Sequence, residues 1–464
     1  MLFSSITFLF YFLPAVLVLY FMVPAKGKNL VLLIFSLLFY GWGEPVYIFL
    51  MVASITQGYF LGRLIQKYRK TPLAGVFLWL SVGISLGLLG FFKYWNFLAG
   101  SLNQLGLIQI PLVGVSLPIG ISFYTFQILS YVVDVYREKV EAQKSYLRLA
   151  VYISMFPQLI AGPIVRYSDI EPQLAHRTHT WEDASYGASR FVLGLSKKVL
   201  LANTLGELTQ MFRDSGEKSV AFFWLYALAC ALQIYFDFSG YSDMAIGLGR
   251  IFGFHFLENF RYPFISGSVT EFWRRWHISL GSWFRDYLYI PLGGSRVSRG
   301  RWVWNILVVW LATGLWHGAQ WNFVAWGLFF GVLLAAEKLL FLSRLECHPA
   351  AGRIYLLLIV AFTFVMFDSA GIMEGLSRIG GMLGLGGYPL ITRETLYAFR
   401  SYGLILVLAC LGSTPLPARL AQKAEEKLPW VVGMIQPVAL VALLAGCTAF
   451  LVDGSFNPFL YFRF

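Results

Sequence analysis

One stretch constrains this chain more than any other. Between Arg301 and Glu337 lie 35 residues, Trp302 to Ala336, with no Asp, Glu, Lys or Arg. As a straight helix they would run roughly 52 Å at ~1.5 Å per residue. That is too long for one pass through a hydrocarbon core of about 30 Å, and slightly short for two. The stretch therefore predicts two short helices that turn at the glycines near its middle. One titratable side chain sits there: His317, in Gly314-Leu315-Trp316-His317-Gly318-Ala319-Gln320-Trp321. An ionisable group at that depth is expensive to keep, which makes His317 a functional candidate. The plainer alternative is a histidine hydrogen-bonded inside a helix bundle.

Composition fixes the class. Charged residues are 13% of the 464 and hydrophobic residues 58%, where soluble domains carry about 25% charge. The chain reads as an all-α, polytopic membrane protein. Long apolar runs without strand-like alternation exclude a membrane β-barrel. The net charge of +12 does not point to nucleic acid, because the basic residues cluster between apolar runs as the positive-inside rule expects. Of four cysteines, three lie in apolar runs as small packing residues, and none has metal-type spacing. The first 23 residues are uncharged and read as a first span rather than a cleaved signal.

Taken in order, the apolar runs give about 11 to 14 helical segments. The N-terminus falls outside, and the basic loops after Val23, at 63–70, 137–144 and 419–427 fall in the cytoplasm. Residues 93–115 and the glycine-rich 368–401 read as outer segments, with a short helix at 402–412. Residues 187–206 and 220–254 read as about three helices. Phe156–Pro163, with two prolines and a glycine, reads as a broken or re-entrant helix. His176 and His179 read as solvated loop histidines. Lys197-Lys198 and the acids Asp237 and Asp243 interrupt apolar runs, and either pair with one another or line a polar cavity.

Residues 268–301 interleave aromatics with arginines, as in Trp273-Arg274-Arg275-Trp276-His277. They read as an interfacial helix on the cytoplasmic face. Arg274 and Arg275 would either anchor it to lipid headgroups or bind an anionic cytosolic ligand.

These motifs resemble a known family. Trp273–Leu280, Phe284-Arg285-Asp286-Tyr287-Leu288-Tyr289-Ile290-Pro291-Leu292-Gly293-Gly294 and Gly314–Gly318 are similar to the membrane-bound O-acyltransferases. The nearest branch is the bacterial alginate O-acetylation proteins, with the teichoic acid D-alanyl transferases more distant. Leu117–Tyr124, Phe156–Pro163, Asp237–Asp243 and the aromatic C-terminus extend the resemblance over nearly the whole chain. It implies one acyltransferase domain over residues 1–464, a ring of helices around a thinned central catalytic channel in a bacterial inner membrane.

By this resemblance His317 is the catalytic histidine and His277 the second motif residue. Arg274, Arg275 and Trp276 would bind the donor, and Trp316 and Asp237 would line the channel. No bound cofactor or metal is implied. The donor would be acetyl-CoA or an acyl-carrier thioester, and the final acceptor an exported polysaccharide such as alginate. A separate extracytoplasmic acetyltransferase would complete the transfer. In the tail, Tyr461 is either an aromatic anchor at the outer interface or a relay that carries the acyl group to that partner. The alternatives are D-alanyl transfer to a cell-wall polymer and a lipid or glycan transporter.

Overall fold

The computed structural model describes residues 1–106, 109–160 and 162–454. Those residues form helices and no strand. Among them, seven helices are long and apolar enough to cross a membrane, and shorter apolar helices such as Phe8–Met22 accompany them. The chain is a multi-pass helical membrane protein. Helices prevail for a physical reason: in hydrocarbon each backbone N–H and C=O must find its partner within the segment.

Several boundaries differ from the sequence expectation, and for a shared reason. Leu73–Gln104 is one run of 32 residues, not a span that stops before an outer segment at 93. It passes Lys93 through a π-helical turn, Gly90–Tyr94. Arg393–Gly412 is likewise one helix of 20 residues, where an outer segment to 401 and a short helix at 402–412 are expected. The hydroxyl of Thr392 caps it, accepting from Thr395 N at 3.3 Å. A helix Ile372–Met382 also stands inside the expected glycine-rich outer segment. Lys197-Lys198 does not break its helix: Trp181–Ser196, a π-helical stretch Lys197–Asn203 and Thr204–Asp214 follow without interruption. Charge is a poor marker of a helix end, because long side chains reach polar surroundings while the backbone stays helical.

The chain divides into two compact units. The first holds Met1–Phe191 with Met244–Leu257. Its interior is aromatic: the rings of Phe8, Phe39 and Phe156 lie 5.6–6.2 Å apart. The break expected near Phe156 is present as a four-residue helix, Phe156–Leu159, whose first N–H donates to Ser36 Oγ at 3.1 Å. Helix Tyr47–Lys67 passes close to helix Ile121–Tyr136 at Gly62, where an added methyl group would meet the Tyr131 ring at 2.9 Å. His176 is exposed, as expected. His179 is not simply solvated: its Nε2 stands 3.0 Å from the Tyr20 hydroxyl, which itself donates to Phe252 O at 2.8 Å.

The second unit holds Val192–Asp243 with Glu258–Phe464. The apolar faces of helices Thr204–Asp214, Val220–Ile251, Trp321–Ala336, Pro349–Asp368 and Arg393–Gly412 share its core. The two lysines and two acids of the sequence are partners here: Lys198 Nζ is 2.5 Å from Asp237 Oδ1, and Lys197 Nζ is 2.6 Å from Asp243 Oδ2. Lys198 and Asp237 are both buried. A buried ion of either sign is tolerated only beside its partner.

Asp237→Ala, which leaves the Lys198 ammonium buried and alone, is expected to cost about 3–5 kcal/mol. Asp237→Leu combined with Lys198→Met is expected to restore most of that loss. Thermal unfolding of the purified protein in detergent measures both, and equal melting temperatures for the single and double variants would contradict the pairing account.

Candidate active site

The uncharged stretch forms the expected helical hairpin. Arg299–His317 and Trp321–Ala336 are its two arms, with Gly318-Ala319-Gln320 as the turn. The arms touch backbone to backbone: a methyl group at Gly314 would lie 2.3 Å from Phe323 O, and one at Gly327 would lie 2.4 Å from Trp310 O. Small residues are what allow helices to approach so closely without a hydrophobic drive between them. At the turn, a side chain on Gly318 would meet the Phe323 ring at 2.3 Å. The contact places His317, the last residue of the first arm, under the turn. Its ring stands 5.1 Å from Trp316, 5.2 Å from Trp326 and 5.3 Å from Phe367. It is buried, with 8% of its surface exposed.

The second arm departs from expectation. It does not end at Glu337, the first charge after the stretch, but continues through a π-helical turn, Glu337–Phe341, to Cys347. Glu337 is fully buried. Its carboxylate accepts from Val269 N at 2.7 Å, Thr270 N at 2.8 Å and Thr270 Oγ1 at 2.6 Å. The two N–H groups belong to the first turn of helix Val269–Arg275 and have no partner within their own helix. An anion also suits that end of a helix. Ser268 Oγ caps the same turn, accepting from Glu271 N at 3.1 Å.

Residues 268–301 are therefore not one interfacial helix. Val269–Arg275 and Ile278–Phe284 are separate short helices, and a π-helical turn, Arg285–Tyr289, follows. Between the helices His277 takes the left-handed conformation, φ 44° and ψ 53°. For a residue with a Cβ this costs roughly 1–2 kcal/mol. Asn259, fully buried, holds the break in place. Its carbonyl accepts from Ile278 N at 3.0 Å, and its side-chain Oδ1 accepts from Ser279 N at 3.1 Å and Ser279 Oγ at 2.9 Å. The same Oδ1 lies 3.2 Å from His277 Nδ1.

The hairpin and the short helices enclose a cavity of about 520 Å³. His277, His317, Arg274 and Trp276 line it, joined by Arg285 and Lys338. Four of the residues singled out from the sequence are thus brought together. Arg275 is not among the lining residues: Glu271 accepts from its Nε at 2.9 Å, and Arg261 O from its Nη1 at 3.2 Å. Asp237 is not among them either, being held by Lys198. Trp316 is buried with its ring 5.6 Å from His277, a packing neighbour of both histidines rather than a lining residue of this cavity. Tyr461 lies outside the described residues.

Sequence reasoning missed Lys338, Arg285, Glu337 and Asn259. Glu337 was in view only as the end of the uncharged run, and Lys338 only as the first charge of a cytoplasmic loop, where the helix in fact continues. Their adjacency carried a signal, since one lines the cavity while the other anchors the helix beneath it. Asn259 carried none, because its value lies in a contact 18 residues away.

Burial, and after it the neighbouring His317, holds the His277 imidazole well below the usual histidine range, so it is neutral near pH 7. At the mouth Arg285 is held above its ordinary value by its hydrogen bond to Asp286. The site therefore presents a neutral His277 imidazole inside and cations beside it. That arrangement suits proton transfer next to an anionic substrate.

Two buried histidines on one cavity of a multi-pass helical protein make a candidate catalytic site. The membrane-bound O-acyltransferase family model matches residues 119–377, and the chain belongs to that family; it is an O-acyltransferase, not a transporter. Among its relatives are the probable alginate O-acetylases of Azotobacter vinelandii, 38% identical, and Pseudomonas putida, 39% identical, with the whole of each chain covered. The peptidoglycan O-acetyltransferase of Helicobacter pylori is 32% identical, over 100% of this chain and 98% of its own.

Glu337→Ala removes one acceptor from three donors and is expected to destabilise the protein by about 3 kcal/mol or more. Glu337→Gln keeps one acceptor oxygen and should lose less. Thermal unfolding of the two variants ranks them, and an alanine variant as stable as the parent would sink the anchoring role.

Proposed function

We propose that the cavity lined by His277 and His317 is the acyl-transfer site, and that the chain O-acetylates an exported bacterial polysaccharide using acetyl-CoA from the cytosol. One observation carries this reading: both histidines share a single cavity with Arg274, Arg285 and Lys338. The cations suit the phosphates of a coenzyme A thioester, as charge-assisted contacts do generally. The cavity lies at the arginine-rich segment that the positive-inside pattern assigns to the cytoplasm of an inner membrane. The family match runs through residues of both compact units, which supports treating residues 1–464 as one acyltransferase domain.

In the transfer step His317 takes the proton of an acceptor hydroxyl. The acceptor oxygen bonds to the acyl carbon, the C–S bond breaks, and the proton passes from the imidazolium to the departing thiolate. A buried imidazole favours its neutral form, which is the form that can accept this proton. The acceptor reaches the site from the outer side, so donor and acceptor need not cross the membrane. The polysaccharide belongs to the class named for the full-length relatives, alginate or peptidoglycan. Tyr461 is a candidate carrier of the acyl group to an extracytoplasmic acetyltransferase, because an acyl-tyrosine there would be a transferable ester. A D-alanyl carrier thioester is the alternative donor.

The test is thiol release from acetyl-CoA, and separately from a D-alanyl carrier protein, by purified protein. His317→Ala is expected to abolish release while leaving the melting temperature unchanged. Substantial turnover in a folded His317→Ala protein would remove it as the base. The donor reading generates a second expectation. Arg274→Ala and Lys338→Ala should each weaken donor binding by about 1.5–3 kcal/mol. Arg275→Ala, which breaks a partly exposed pair with Glu271 and a hydrogen bond to Arg261 O, should leave it nearly unchanged. Equal losses for Arg274 and Arg275, or none for either, would point to headgroup anchoring instead.

A further inference from the structure

His277 has two distinguishable ring nitrogens, and the surroundings decide between them. Asn259 Oδ1 is identified as an oxygen by its neighbours, since the backbone N–H of Ser279 donates to it at 3.1 Å. An amide NH2 at that position would set two donors against each other. Facing this acceptor at 3.2 Å is His277 Nδ1. A bare Nδ1 would point one lone pair at another inside a buried site, so Nδ1 carries the proton. Neutral imidazole has a single N–H, which leaves the lone pair on Nε2. That nitrogen is buried and has no hydrogen-bond partner among the described residues. Buried nitrogens of this kind ordinarily have partners.

Two further facts converge on the same residue. Its backbone is held in a left-handed conformation that side chains seldom adopt, and such strain persists only where the surroundings enforce it. The enforcement comes from Asn259 again, through its carbonyl and its side chain together. His277 also lines the cavity that holds His317.

We propose that Asn259 is a positioning residue for acyl transfer: it fixes His277 in the Nδ1–H tautomer, so that Nε2 is offered as a hydrogen-bond acceptor to the substrate bound beside His317. The inference rests on the reading of this cavity as the transfer site. It adds a residue that makes no claim to touch substrate, and a specific atom on one that does. A substrate group meeting Nε2 must be a donor, such as an amide N–H of the thioester's arm or a hydroxyl.

The choice of Asn over Asp at position 259 follows. A carboxylate would accept from the same three donors, and nothing would be lost on its other side, because Asn259 Nδ2 has no hydrogen-bond partner among the described residues. It would, however, stabilise imidazolium, as an opposite charge does. Protonated His277 would present N–H where an acceptor is needed. The other charged groups around His277 do not supply that effect. His317 on the hairpin is a neutral imidazole or a like charge. Asp237, beside the Phe238 ring that packs on His277 at 4.7 Å, is held by Lys198. Glu271 holds Arg275, and Asp286 holds Arg285. Arg274 and Lys338 are cations, Glu337 is committed to the helix N-terminus, and Glu258 and Arg261 flank Asn259 in sequence.

The test uses the full chain in detergent with acetyl-CoA, following kcat/KM for thiol release against pH in the parent, Asn259→Asp and Asn259→Ala. Activity needs both histidines unprotonated, so the acid limb follows the higher of their two pKa values, and a carboxylate facing Nδ1 raises that of His277 and moves the limb to higher pH. Asn259→Asp is expected to move it upward by about one unit or more. Asn259→Ala is expected to lose about 10–100-fold in kcat/KM, the usual loss when a supporting hydrogen bond is removed. An Asn259→Asp profile that superimposes on the parent's, or one lowered at every pH without a shift, overturns the proposal and leaves Asn259 a structural residue. The tautomer is also read without turnover, by 15N resonances of histidine-labelled protein: the signal that His277→Gln removes should show a protonated Nδ1 and a bare Nε2. The opposite tautomer overturns the proposal even if acetyl-CoA is the donor. The predicted tautomer with no acetyl-CoA turnover retains the Asn259 assignment and fails the donor reading instead.

Discussion

The site depends on one buried carboxylate. Glu337 belongs to the hairpin that carries His317, yet its oxygens are spent on the first turn of the helix that leads to His277. That link adds to the packing of Trp273 on Trp310, Trp326 and Phe330, which also joins the two elements. A desolvated carboxylate is costly, and the site offsets the cost with two hydrogen bonds from N–H groups that a helix start leaves unpaired and one from the Thr270 hydroxyl. A single residue thus satisfies a helix end and ties the hairpin to the helix that leads to His277. Glu337 opens a π-helical turn, a distortion often found at functional sites.

The hairpin itself is built by subtraction. Gly314, Gly318 and Gly327 lie where any side chain would collide with the opposite arm or with Phe323. Close contact between backbones is a source of cohesion that does not require burying apolar groups away from water, which a bilayer would not reward. The aromatic residues around His317, namely Trp316, Trp326 and Phe367, fill the space there. Cations are confined to the cavity's lining at Arg274, Arg285 and Lys338.

The sequence announced some of this clearly. The gap in charge between Arg301 and Glu337 gave the hairpin and His317, because an apolar run of that length admits few shapes in a membrane. Trp273–His277 was legible as a functional segment, but not as a break between two helices. That break rests on Asn259, and long-range hydrogen bonds leave no trace in local pattern. The same limit separated Arg274 from Arg275: adjacent arginines on one short helix point in different directions, and only Glu271 and Arg261 O reveal which one is occupied. Asp237 looked like a cavity residue because a charge in an apolar helix is conspicuous. Its partner Lys198 was visible too, but the sequence alone could not choose between pairing and lining. Helix ends fared worst, since charged residues at 93, 197–198, 337 and 393–400 stand within helices that continue past them.

The central claim is that this one cavity receives the thioester, with phosphates at the cations and the acyl end at the histidines. A structure of the protein with a non-transferable thioether analogue of acetyl-CoA addresses it directly. The account predicts the analogue's diphosphate beside Arg274 and Lys338, and its sulfur next to His317 and His277. An analogue bound at a different place, or one whose sulfur lies away from both histidines, would contradict it.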